Sequence, residues 1–511
     1  MRKKLTALLL AAAMCTGSAL LLASCAEGES GAKSTQDPAT TTPSDPSSEI
    51  SLDQLPTVDM EGAVIAFAIA ETDAHAGDTF HQRSIVPPDE ESEDTVDMAV
   101  FTRNAKIETK YNCTIEIVNY MENNLSSTIG SQLIAGTSDY DILGARQYDD
   151  VQLALDGVVY DLNMLTTDFP EAEGYLNLDA SYWAKGYNDA LQIGNGRYWV
   201  TGDLCLRYSG GYYCYFVNHT KYNEYLGQTY GNIYDIVRSG EWTLDTLTQM
   251  TEGIWDDLDG SDTTSTDDML AIAQPVWDNA NGLSISSGVQ YSYRHEDGTI
   301  QLTMVKGNKQ LENFMTKFYN LLQKDGVYNY GGEYNNAMKK LVANEAVFAS
   351  GRLNQAELYL QEMEDNYGIL PNPKLSSDQT NYVSSIHDGV QLYGINNNSE
   401  QIPYAALILD ALELESRKSV RPMYFDSAVK IVYSRGSDDA EMIDLMDASI
   451  YSDFVYVWQF SAEMNGMGDW LRNAVKSKNG YNNINRVQGT WEKGLEDILE
   501  EIEQLEAASA V

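Results

Sequence analysis

Histidine and cysteine are scarce in this chain, with five of each in 511 residues. No spacing among them matches a zinc site. Positive charge is also short: 33 Lys and Arg stand against 76 Asp and Glu, a formal charge of −43. That balance argues against nucleic acid and against direct contact with anionic lipid. Beyond Leu22 no stretch reaches the roughly 18 apolar residues of a membrane-spanning helix. Hydrolase signatures are missing as well. There is no Gly-x-Ser-x-Gly elbow, no His-Glu-x-x-His pair and no phosphate-binding Gly-rich loop. The acidic segment 256–268 fails calcium-loop spacing, because Trp255 stands where the first carboxylate is needed before Asp257, Asp259 and Gly260. It reads as a solvated loop, so no metal and no cofactor are expected.

What is present begins at the N-terminus. Arg2, Lys3 and Lys4 precede an apolar run of mainly Ala and Leu that ends at Leu22-Ala23-Ser24-Cys25. This is a secretory leader (1–24) with a small-residue cleavage site. The four residues match a bacterial lipobox, so Cys25 is expected to carry a diacylglyceryl group, and with palmitate-type acylation two or more chains anchor it stably. Loss of the three basic residues takes the mature charge to −46. Residues 25–57 then form a tether rich in Ser, Thr, Pro, Gly and Asp. Such a segment cannot bury enough surface to offset its ordering entropy. It would hold the folded part about 30 Å from the bilayer, which serves as anchor only.

The remaining 455 or so residues suit two or three domains. Residues 62–70, GAVIAFAIA, read as a strand buried on both faces. Segment 95–111 has helical spacing, Thr114–Val118 and Tyr140–Leu143 read as strands, and 131–135 belongs to a short helix. Strand and helix alternate, which indicates an α/β lobe with a mostly parallel sheet. A second α/β region follows. Arg197–Val200 reads as a strand, and Ser209-Gly210 reads as a two-residue turn. Cys205 and Cys214 would then face each other across a hairpin, positioned for a disulfide. Thr243 is a credible N-cap for a helix over 244–255. Helices are expected at 308–324, 333–344 and 493–507, and strands at 346–349 and 390–395. The 33 tyrosines and 8 tryptophans fit half-buried strands and also flat polar-apolar ligands. Trp183 and Trp242 read as core.

The order of five passages is similar to that in family 1 extracellular solute-binding proteins, the maltose-binding-like superfamily of ABC importers. They are Asp139-Tyr140-Asp141, YFVNHTKYNEYLG (215–227), VRSGEWTLDTLTQMT (237–251), ANEAVFASG (343–351), and NYGILPNPK (366–374) with DGVQLYGI (388–395). His219 departs from the family's usual lysine. The resemblance implies an α/β, two-lobed periplasmic-binding-protein-like fold of type II. Two mixed, mostly parallel sheets flanked by helices would be hinged by crossover strands. Lobe one is expected at 58–200 plus 350–396 and lobe two at 201–349 plus 397–505. A carbohydrate, an oligosaccharide by the family's habit, would be captured between the lobes and delivered unchanged to the permease subunits of an ABC transporter. The chain would be a monomer without enzymatic activity, lipid-anchored on the extracellular face of the bacterial membrane.

Cleft residues are expected just past strand ends or at crossovers. The candidates are Glu71, Thr72, Arg146, Gln147, Asp203, Trp277, Arg352, Asp388 and Trp458, with Arg207, Trp199 and His387 close by. A cell-surface adhesive or structural lipoprotein and a secreted glycoside hydrolase are the rival readings. Paired carboxylates would be needed for the second, and their abundance here carries no information.

Overall fold

Apolar continuity builds the first sheet. In β1 (Ala63–Ala70) the last six residues are all buried, as a strand covered on both faces requires. It runs parallel to β2 (Cys113–Met121) on one side and to β3 (Ile142–Arg146) on the other. The fourth member comes from far along the chain: β12 (Gln391–Ile395) lies antiparallel to β3, with Gln391 opposite Arg146. The computed structural model that shows this describes residues 51–70, 80–87, 92–121, 124–331, 335–361 and 363–509. Helix Thr95–Tyr111 starts where Asp94 accepts hydrogen bonds from the Val96 and Asp97 N–H groups, and it stops at Asn112 in the left-handed conformation. Val96, Val100, Ile107 and Tyr111 form its buried stripe.

The second sheet has strand order β11-β4-β10-β6-β5, with β9 also on β6. These strands are β4 (Tyr213–Asn218), β5 (Trp255–Asp256), β6 (Met269–Gln274), β9 (Val327–Asn329), β10 (Ala346–Arg352) and β11 (Tyr367–Pro371). Pairs β10–β6 and β6–β9 are parallel, whereas β11–β4, β4–β10 and β5–β6 are antiparallel. The first sheet is thus mostly parallel, and the second is mixed. A small hairpin, β7 (Ser292–Arg294) with β8 (Ile300–Leu302), stands apart. Trp242 is fully buried under the second sheet. Its indole N–H donates to Pro371 O at 2.8 Å and its ring lies 5.8 Å from that of Phe348.

Four expectations are corrected. Leu206–Gly210 is a helical turn and not a hairpin end, so Cys214 falls inside β4 opposite Gly351 and Pro371. Cys205 and Cys214 are both free, buried thiols. Arg197–Val200 forms no strand beyond one isolated bridge from Val200 to Tyr393, because the Arg197 N–H donates to Asp161 instead. The segment expected to cross between lobes near 350 does not cross there. β10 and β11 both stay in the second sheet, so the chain returns to the first through 372–390. Helix Ile402–Glu415, placed by sequence with lobe two, packs on β1, β12 and helix Thr95–Tyr111 of the first sheet's side. Among the described residues no helix is long and apolar enough to cross a membrane. Glu71, Thr72 and Cys25 lie outside the described residues.

Candidate ligand-binding site

Strand ends from both sheets converge on one buried polar cluster. The first sheet contributes Tyr148, two residues past β3, and His387 and Asp388, just before β12. From the second come Arg352 at the end of β10, Tyr213 at the start of β4, and Trp277 and Asp278 in helix Val276–Ser286 after β6. The C-terminal part adds Phe460 and, from helix Met467–Ala474, Arg472. Carboxyl ends of strands are where α/β sheets leave room for ligands.

His387 is the pivot. Its Nδ1 accepts the Gly389 N–H at 2.9 Å, so the Nε2 hydrogen points at Asp278 Oδ1, 2.7 Å away. Arg352 Nε lies 3.6 Å from the other Asp278 oxygen. Burial alone would raise the Asp278 carboxyl, but Arg352 and His387 hold it well below the usual carboxylate range. Asp388 receives the Arg472 guanidinium and lies 3.5 Å from His387 Nε2. Asp278, Asp388, Arg352 and Arg472 are each at most 4 % exposed. Two carboxylates and two guanidiniums balance, so charge pairing offsets their desolvation.

Aromatic faces surround this charge. The Arg472 guanidinium carbon lies 5.5 Å from the Tyr148 ring centroid and 5.4 Å from those of Trp277 and Phe460. Tyr148 and Phe460 touch each other, with centroids 4.5 Å apart. Lys476 Nζ is 5.6 Å from the Trp277 ring, which is only half-buried. The helix carrying Trp277 and Asp278 is seated tightly. A Cβ on Gly282 would meet the Tyr213 ring at 2.5 Å, so only glycine allows this approach.

Of the residues expected from sequence, Trp277, Arg352, Asp388 and His387 meet in this cluster. Gln147 is beside it but faces inward. Its Oε1 accepts the Tyr187 hydroxyl and its Nε2 donates to Val457 O at 3.2 Å, tying β3 to helix Phe454–Trp458. Arg146 at the same strand end pairs with Asp149. Asp203 is engaged elsewhere, 3.1 Å from both Arg417 and Arg421. Burial pushes its carboxyl up to about 6 despite these guanidiniums. Trp458 is core, fully buried and stacked on Phe454 at 6.0 Å. Trp199 is core too, its indole N–H donating to Val151 O. Arg207 packs against the Phe80 ring at 5.9 Å, on the Gly389 side of the cluster. Sequence reasoning missed Asp278, Arg472, Tyr148 and Phe460. Asp278 had a legible signal, since MLAIAQP ahead of it is an apolar strand ending in a proline. Arg472 had none.

No family model matches the chain, and no curated protein matches it. Solved structures do. The galacto-N-biose-/lacto-N-biose I-binding protein of an ABC transporter from Bifidobacterium longum aligns at TM-score 0.53 and 12 % identity over 86 % of this chain and 98 % of that one. The ABC-transporter-associated binding protein of B. animalis subsp. lactis Bl-04, in complex with β-1,6-galactobiose, aligns at 0.52 and 13 % over 78 % and 96 %. UgpB of Mycobacterium tuberculosis, in complex with glycerophosphocholine, aligns at 0.51 and 12 % over 78 % and 96 %. The chain therefore has the two-lobed α/β fold of type II substrate-binding proteins, with the ionic and aromatic cluster lying between its two sheets.

Proposed function

We propose that this chain is an extracellular solute-binding lipoprotein that captures a carbohydrate, specifically an oligosaccharide, between its lobes and hands it intact to an ABC import permease. The observation that carries the reading is the cleft cluster. Tyr148, Trp277 and Phe460 offer half-buried ring faces for stacking, while Asp278, Asp388, Arg352, Arg472 and His387, paired with one another in this structure, would turn donors and acceptors to hydroxyl groups as the lobes part. The balanced charge of the two carboxylates and two guanidiniums suits a neutral ligand. Asp278 is held ionised between Arg352 and His387, which suits an acceptor for hydroxyl groups. Sugars of the size named for the two bifidobacterial neighbours are the class such a cleft accommodates.

The lobes are assigned by sheet. The first sheet with helix Ile402–Glu415 forms one, and the second sheet with the elements around it forms the other. Ligand bridging both would shift the population toward the closed state by its differential affinity. Cys25 would carry the lipid, placing the monomer on the outer membrane face at the end of its tether.

Thermal shift of the mature chain against mono- and oligosaccharides, with peptides and polyamines as controls, tests the reading. At a hundredfold excess over Kd the stabilisation is about 2.7 kcal/mol. A response to polyamines or peptides alone would overturn the carbohydrate assignment.

A further inference from the structure

Helix Met467–Ala474 presents ligand-type chemistry on two faces. One face holds Arg472 in the cleft cluster. The next holds Trp470 and Asn473, which line a pocket of about 430 Å³ together with Trp491, Asn483 and Arg486. Asp469 joins the two. Its carboxylate lies 3.4 Å from Arg472 on the cleft side, and the residue also lines the outer pocket. At 100° per residue Asp469 lies about 60°, Asn473 about 100° and Trp470 about 160° round the helix from Arg472, so Asp469 and Asn473 bridge the two sides.

The outer pocket is built rather than incidental. Trp491 is buried and meets Trp470 edge-to-face at 5.1 Å and 77°, which fixes the half-buried Trp470 ring. Asn473 Nδ2 donates to Asp469 O at 3.0 Å, holding that amide at the rim. The segment behind is locked by backbone contact, since a Cβ on Gly480 would meet Ala474 O at 1.9 Å. A rigid indole rimmed by two amides, a guanidinium and a carboxylate is the combination a sugar ring needs. A helix is about 10–12 Å across with its side chains, so the distance from cleft to pocket is within the reach of a glycan chain and not of a monosaccharide.

We infer that Trp470 and its rim form an outer subsite for the distal units of an oligosaccharide whose first units are held in the cleft. This rests on the carbohydrate reading above and deepens it: the chain selects for glycan length. The ligand crosses Asp469 and Asn473 and stacks its far end on Trp470, while Arg486 and Asn483 bond its hydroxyl groups.

The test uses the full chain and linear α-glucan, β-glucan, xylan and mannan oligosaccharides, from disaccharide to hexasaccharide, by isothermal titration. In the series that binds, affinity should rise with length. Trp470→Ala should lower affinity for the longer members by at least about tenfold, which is about 1.4 kcal/mol, and leave the disaccharide as in the wild type. The rim variant Asn483→Ala/Arg486→Ala, exposed and remote from the core, should show the same length-selective loss in a protein whose folding is not in question. Trp277→Ala should weaken every length. If a series binds and neither outer variant discriminates by length, the outer subsite is overturned and the cleft reading stands. If no saccharide binds the wild type, both fall.

Discussion

Asp410 shows how this interior handles charge. It is buried in helix Ile402–Glu415, where its carboxylate accepts the Asn177 N–H at 3.2 Å and the Tyr182 hydroxyl at 3.0 Å. Burial pushes it up to about 6 in spite of these bonds. The folded chain therefore keeps a proton that the unfolded chain gives up near the ordinary value of 3.8. That contribution is full below the unfolded value and is lost as pH rises through about 6. Asp410→Asn should accordingly stabilise the fold at pH 8, by up to about 3 kcal/mol, and give no gain at pH 4. Urea melts at the two pH values check this, and an equal effect at both would contradict it. Asp203 titrates in the same window, but its two arginines make the outcome opposite: Asp203→Asn takes the facing carboxylate from Arg417 and leaves Arg421 with Asp447 alone, and should destabilise at pH 8. Cys205 and Cys214 are shielded thiols, the first pushed up to about 11 by burial. Reductant should leave the melting temperature unchanged, and iodoacetamide should label neither until the chain unfolds. A drop in melting temperature with reductant would reinstate the disulfide.

Elements with a single strong period were legible in sequence, and those set by tertiary contact were not. β1 and helix Thr95–Tyr111 follow from an unbroken apolar run and from apolar residues at helical spacing. Thr243 caps its helix as its spacing implies, accepting the Thr246 N–H at 3.1 Å. The Ser209-Gly210 pair misled because a short turn signal serves a helix end as readily as a hairpin, and only the pairing of Tyr213–Asn218 with two distant strands decides between them. β10 was legible as a strand, but its sheet partners were not, so the crossover was placed too early. The close seat of helix Val276–Ser286 on Tyr213 yields a prediction at this scale. Gly282→Ala drives a methyl group into the Tyr213 ring. The variant should lose about 1–3 kcal/mol in denaturant melts and bind ligand more weakly, because Trp277 and Asp278 move with the helix. Unchanged stability and affinity would show that the contact relaxes freely.

The whole molecule brings together residues from six separate stretches, and this is why only part of the site was legible. Trp277, Arg352, His387 and Asp388 stand at strand ends, a position that sequence can mark. Arg472 and Phe460 come from a helical C-terminal region whose docking no local pattern reveals. Yet Arg472 joins that region to Asp388 beside the first sheet, and so links the two sides of the cleft. Removing it leaves Asp388 buried without its guanidinium. Arg472→Ala should cost about 3–5 kcal/mol and widen the ligand-free molecule in small-angle scattering, whereas an unchanged radius of gyration would mean that this pair does not hold the lobes together. The central claim is capture of an intact sugar between the sheets. A crystal structure of the chain with the oligosaccharide that most raises its melting temperature tests that claim most directly. An uncleaved glycan is expected against the Trp277 and Tyr148 rings, with hydroxyl groups bonded to Asp278 and Asp388. A cleaved glycan, or one bound only outside the cleft, would contradict it.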